Sequence, residues 1–163
     1  NPEFPKRVAC LGTKEITKDR DVPDNTQVLA TFPSGYTLMV VGSTVNQQGL
    51  PEMLRGHHGT LYFGGDKVDL KPETPFGDEI DPESFSGLKP SGADFFAEHA
   101  DWFKVIRNGG ETKGNINLSM RAQVVISLAE MSERMSLTLL FDEKSRKITT
   151  GTGQEVQPLN YPA

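Results

Sequence analysis

The densest group of chemically capable side chains is Arg55-Gly56-His57-His58-Gly59. A guanidinium beside two imidazoles could meet an anion or the hydroxyls of a sugar-like ligand, or it could open a zinc site. Zinc needs three or four N, S or O ligands at workable spacing. No Cys, His or Asp pattern supplies the rest, so no metal residue is assigned. Arg55 and His57 are therefore the speculative substrate contacts, with Tyr36 at the start of an expected strand as a third. Each also has a structural reading, since a turn carrying two glycines uses their freedom at strained angles. His99 falls on the apolar stripe of an expected helix and reads as a core histidine donating to a carbonyl. Cys10 lies inside an apolar strand with no base nearby and reads as a small hydrophobe rather than a nucleophile. Gly151-Thr152-Gly153 begins like a nucleotide loop, but Val156 stands at the third glycine position. Too little chain follows for the helix that would hold a pyrophosphate, so the segment reads as a hairpin exit. No Ser–His–acid order and no paired carboxylates stand out, and no catalytic or cofactor-binding residue is assigned.

The elements that would position these groups are mostly strands. Residues 7–11, 26–32, 36–43, 51–54, 60–63 and 67–70 are short runs rich in Val, Leu, Tyr, Phe and Thr, separated by turn residues. Pro33-Ser34-Gly35 and Gly64-Gly65-Asp66 predict hairpins. Residues 74–92, acidic and proline-bearing, predict a mobile loop. Phe95, Phe96, His99, Trp102, Phe103 and Ile106 form one stripe at helical spacing and predict a helix over 93–108, ended by Gly109-Gly110. Met120, Val124, Leu128, Met131 and Met135 predict a second helix over 117–135, apolar enough to be mostly buried. Residues 136–141 and 147–150 return to strand, and the tail 158–163 reads as extended. Many strands, two adjacent helices and more strands favour an α+β fold: an open, mostly antiparallel sheet with two main helices packed on one face. Leu38-Met39-Val40-Val41 is apolar on both sides of its strand, so a second sheet face needs cover from a missing domain, another subunit or a ligand.

The 163 residues fit a single domain. There are 17 Lys and Arg against 22 Asp and Glu, a net charge of −5. That balance argues against a nucleic-acid or anionic-membrane partner. Mean hydropathy of −0.43 argues against a membrane protein. A single cysteine excludes an internal disulfide framework and suits a cytoplasmic setting. The first residues, Asn-Pro-Glu-Phe-Pro, contain neither an initiator Met nor a signal sequence, so a processed chain or a piece of a longer one is expected.

Five segments stand in order: residues 22–32 (VPDNTQVLATF), 54–63 (LRGHHGTLYF), 99–109 (HADWFKVIRNG), 122–134 (AQVVISLAEMSER) and 140–142 (LFD). Together they resemble the C-terminal domain of the glucose–fructose oxidoreductase / inositol dehydrogenase (Gfo/Idh/MocA) family, over about residues 7–161. The resemblance implies an NAD- or NADP-dependent sugar or polyol oxidoreductase whose N-terminal Rossmann domain is absent here. It implies an open-faced sheet domain that shapes the substrate pocket and builds a homo-oligomer through its sheet. The family's glycine-rich loop, its Glu-Lys-Pro lysine and the acid and histidine that work with it match no position here. The expectation is a substrate-binding and oligomerisation domain, inactive alone, with no cofactor of its own. The alternatives are a self-contained α+β ligand-binding module and a structural homologue without enzymatic role.

Overall fold

The computed structural model describes residues 2–88 and 95–159. The chain divides into two compact units, residues 1–48 with 113–163, and residues 49–112. The class is α+β, and every strand pairing is antiparallel.

The first unit holds β1 (Arg7–Thr13), β2 (Asn25–Thr31), β3 (Thr37–Ser43), the helix Ile116–Met135, and three short strands: Leu139–Phe141, Ile148–Thr150 and Glu155–Val156. These six strands form one open sheet, in which β1 lies between β2 and Leu139–Phe141. The β2–β3 hairpin closes at Pro33-Ser34-Gly35 as expected. Gly35 takes a φ of 95°, and its N–H donates to the Phe32 carbonyl at 3.0 Å. A side chain would be strained at that φ.

The helix Ile116–Met135 starts at Asn115, whose side chain accepts the Leu118 N–H at 3.1 Å. It ends at Ser136, held left-handed at φ 55°. Its second half does the packing. Leu128, Ala129 and Met131 meet Val8, Cys10, Ala30, Phe32, Leu139 and Val156 in the core. The expectation that the whole helix is mostly buried needs correction, because Ile116, Leu118 and Met120 near its start are exposed. Only the later turns lie over β1. Ser132, inside that contact, accepts the Cys10 N–H at 2.8 Å and donates to the Leu137 carbonyl at 2.5 Å. One hydroxyl thereby ties helix, sheet and the turn after the helix.

Two loops brace this sheet. The Asp24 carboxylate is buried and accepts the backbone N–H groups of Glu15, Ile16 and Thr17 together with the Thr17 hydroxyl. Those donors, led by the Thr17 hydroxyl, hold its pKa down at about 2. Phe4 is buried against Phe141, with the Arg121 and Arg146 guanidiniums each 4.6 Å from its ring centre.

The second unit holds β4 (Glu52–Arg55), β5 (Gly59–Gly64), β6 (Lys67–Pro72), a 3-10 helix over Thr74–Phe76, β7 (Glu83–Phe85) and α1 (Phe95–Asn108). Its strands form a separate four-stranded sheet in chain order. The expected strands are thus shared between two sheets. Part of the expected loop over 74–92 is ordered: Glu83–Phe85 pairs with β6, and the Ser84 hydroxyl donates to Asp69 at 2.7 Å. Residues 89–92 of that loop, residues 93–94 of the expected helix and residues 160–163 of the expected extended tail lie outside the described residues. The helix Ile116–Met135, following α1 in chain order, is α2. The helix stripe expected in α1 is present, but it is not a core stripe. Phe96, Trp102, Phe103 and Ile106 are exposed, and so is His99, which corrects its reading as a core histidine. Helical spacing shows that a face is apolar, and it carries no information about what covers that face.

In chain order the last strands are β8 (Leu139–Phe141), β9 (Ile148–Thr150) and β10 (Glu155–Val156). The two-residue β10 extends what the sequence shows only as a hairpin exit.

Candidate functional site

The β4–β5 connection is the Gly56-His57-His58-Gly59 turn, closed by the Gly56 N–H on the Gly59 carbonyl at 2.9 Å. Glycine relieves crowding at position 59, where a Cβ would stand 3.0 Å from the Lys71 carbonyl oxygen. The turn is tied to the 3-10 helix, since the Glu73 N–H donates to the His58 carbonyl at 2.9 Å. This brings Phe76 against both imidazoles, with ring centres 5.1 Å from His57 and 4.4 Å from His58. The Ile80 N–H donates to the Phe76 carbonyl at 3.0 Å and fixes the next turn of chain. Beside these rings lies a cavity of about 390 Å³, walled by Leu54, Leu61, Leu70 and Ile80 and rimmed by His57 and His58.

Strand alternation separates the sequence candidates. Leu54, Leu61 and Leu70 stand in register on the cavity side. Arg55 pairs with Thr60, which pairs with Lys71, on the opposite face. That face is polar. The Thr60 hydroxyl donates to Glu73 at 3.4 Å, Lys67 bridges Asp69 at 2.8 Å, and the Lys71 ammonium sits 4.8 Å from the Tyr62 ring centre. Lys67, and after it Ser84, hold the Asp69 carboxyl below its ordinary range. Tyr36 belongs to the other unit, stacked on Phe32 at 4.3 Å. Burial, and after it the Glu3 carboxylate, push its phenol pKa upward. Of Arg55, His57 and Tyr36, only His57 borders the cavity. Cys10 is buried, and burial pushes its thiol pKa up, which fits the small-hydrophobe reading. Among the described residues no group of three His, Cys, Asp or Glu side chains could hold a metal ion.

Ile80 lines the cavity and Phe76 packs on the two imidazoles at its rim, and both lie within the segment read from sequence as a loop. The Thr74-Pro75 pair is the local signal, since proline is pre-set for the first turn of a helix.

A second surface lies on the six-stranded sheet, opposite α2. Ala9, Leu29 and Met39 share one row, and Leu11, Gln27 and Val41 the next. Leu11 is 74% exposed, Leu29 49%, Met39 64% and Val41 43%. Strands apolar on both faces were expected to leave one face needing cover, and this is that face.

No family model and no curated protein matches the sequence. Solved structures do match the fold. An aldose–aldose oxidoreductase from Caulobacter crescentus, complexed with glycerol, superposes with a TM-score of 0.65 at 18% identity over 85% of this chain. The chain shares its fold with part of that protein. An oxidoreductase from Agrobacterium radiobacter in complex with NAD+, L-tartaric acid and magnesium gives 0.62 at 15% identity over 84% of this chain. An NAD-binding oxidoreductase from Klebsiella pneumoniae gives 0.61 at 16% identity, again over 84%. The chain spans only 42%, 43% and 45% of these three oxidoreductases, less than half of each. The fold is therefore that of one part of those molecules, as the Gfo/Idh/MocA resemblance implied. No helix among the described residues is long and apolar enough to cross a membrane.

Proposed function

We propose that this chain is the substrate-binding and assembly part of an NAD(P)-dependent sugar or polyol oxidoreductase of the Gfo/Idh/MocA family. In this reading a Rossmann domain elsewhere in the parent protein carries the cofactor, and this part alone transfers no hydride. The observation that carries the reading is the superposition of most of this chain on less than half of several oxidoreductases, two of them described as bound to NAD+ or NAD-binding. The open apolar row of Ala9, Leu11, Leu29, Met39 and Val41 supports its second half. Such a face is a surface for a second copy of the chain. Arg55, His57 and Tyr36 are the side chains proposed for substrate hydroxyls, with His57 the one at a cavity rim. A cytoplasmic setting suits the single free thiol.

Isothermal calorimetry tests the division of labour. The chain should give no binding heat with NAD+ or NADP+, whereas micromolar affinity for either would overturn it. In the full-length parent, Arg55→Ala should raise KM for the sugar, and unchanged kinetics would remove Arg55 from the substrate contacts.

The cavity beside His57 favours a second reading, a self-contained module that binds a small ligand. A monomeric chain that binds ligand without any nucleotide domain would support it.

A further inference from the structure

We propose that α1 is a strap that closes over the apolar face of its own four-stranded sheet. Strand register puts two rows on that face. One is Leu54, Leu61 and Leu70, ending at Glu83. The other is Phe63, Val68 and Phe85, beginning at Glu52. The opposite face carries Arg55, Thr60 and Lys71 in one row, and Tyr62, Asp69 and Ser84 in the next. An antiparallel sheet with one apolar and one polar face normally packs the apolar one against another layer. Here that face is open, with Leu54 62% exposed and Phe85 56%. The cavity walled by Leu54, Leu61, Leu70 and Ile80 lies on the same face.

The matching surface is on α1. Phe96, Trp102, Phe103 and Ile106 fall on one helical stripe, and all four are exposed. The sizes agree. Fourteen helical residues span about 21 Å, close to the roughly 20 Å of a six-residue strand such as β5 or β6. The acids of the two rows, Glu52 and Glu83, stand on the edge strands β4 and β7, which leaves the middle of the face apolar. Residues 86–94 join β7 to α1, and nine residues reach up to about 30 Å, more than the roughly 14 Å width of four strands. So short a tether makes closure intramolecular, at an effective concentration on the order of millimolar. Closure removes both apolar surfaces from water, which drives it. It also puts the cavity under the strap, so that α1 controls access to that side of the sheet. The proposal does not rest on the oxidoreductase reading, because both surfaces belong to one unit of this chain.

Trp102 is the one tryptophan of the sequence, so its signals report α1 alone. In the full chain, nuclear Overhauser contacts should join the Trp102 indole to the methyl groups of Leu61 and Leu70. Its fluorescence should be blue-shifted and shielded from acrylamide, and should stay so on dilution. Leu61→Asp, on the apolar face, should shift the emission to that of exposed tryptophan and restore quenching. Lys71→Ala, on the polar face, should change neither. If circular dichroism shows that Leu61→Asp fails to fold, Ile106→Asp on the exposed helix stripe serves in its place, with the same red shift expected. Wild-type emission and quenching of a fully exposed tryptophan would overturn the strap. So would Overhauser contacts that vanish on dilution, which would assign the face to a second copy. None of these results bears on nucleotide binding, which calorimetry reads separately.

Discussion

Replacing Ser132 by alanine should destabilise the first unit far more than the loss of one hydroxyl suggests. Ser132 is 2% exposed, so water cannot replace it. Its oxygen accepts the Cys10 N–H at 2.8 Å, and its hydrogen goes to the Leu137 carbonyl at 2.5 Å. Alanine fits the space but leaves both backbone groups unpaired. A buried polar group without a partner costs about 1–3 kcal/mol. Cys10 sits in the core and should suffer the full penalty, while partly exposed Leu137 can recover some water. The expected loss is therefore about 2–3 kcal/mol, a large share of the roughly 5–15 kcal/mol that holds a domain folded. Ser127 is the control. It is exposed and accepts only the Gln123 side chain at 3.2 Å, so Ser127→Ala should stay within about 0.5 kcal/mol. Urea unfolding followed by circular dichroism gives the difference, and hydrogen exchange at the Cys10 amide localises it. Tryptophan fluorescence is the wrong probe, because Trp102 belongs to the other unit. A loss below about 0.5 kcal/mol for Ser132→Ala would refute the bridging role.

Leu128→Ala should cost about 3–5 kcal/mol, since Leu128 is 1% exposed between β1 and β8 and the helix cannot close over the gap; urea unfolding reads this. Asp24 has a folded pKa of about 2, below its ordinary 3.8, so its stabilisation is present above 3.8 and is lost as pH falls through about 2. Acid unfolding of Asp24→Asn should lack that share, and wild-type pH dependence in the variant would contradict the loop-bracing role. Met39→Lys, on the open sheet face, should shift the chain toward monomer in light scattering while leaving its far-UV circular dichroism spectrum unchanged.

The first unit was legible in the sequence to within a residue or two for β1 to β3. There, runs of apolar and β-branched residues and the Pro33-Ser34-Gly35 turn agree. Both helices were also legible, since their apolar spacing is strictly helical. Their surroundings were not. The same period that marks Leu128 and Met131 as core marks Trp102 and Ile106, which are exposed. The division into two sheets follows from where strands find partners, and residues 44–51 carry no pattern that reveals a break in pairing. The His57-His58 turn could be found from its polarity. Its cavity could not, because Ile80 reaches it from a segment whose prolines and acids read as loop.

In the proposed role as an assembly domain, the open sheet face takes a second copy of the chain. Light scattering of the purified 163-residue chain at micromolar concentration tests this most directly. The expected mass is that of a dimer or larger, falling toward one chain in Met39→Lys. A wild-type mass of one chain at that concentration would contradict it.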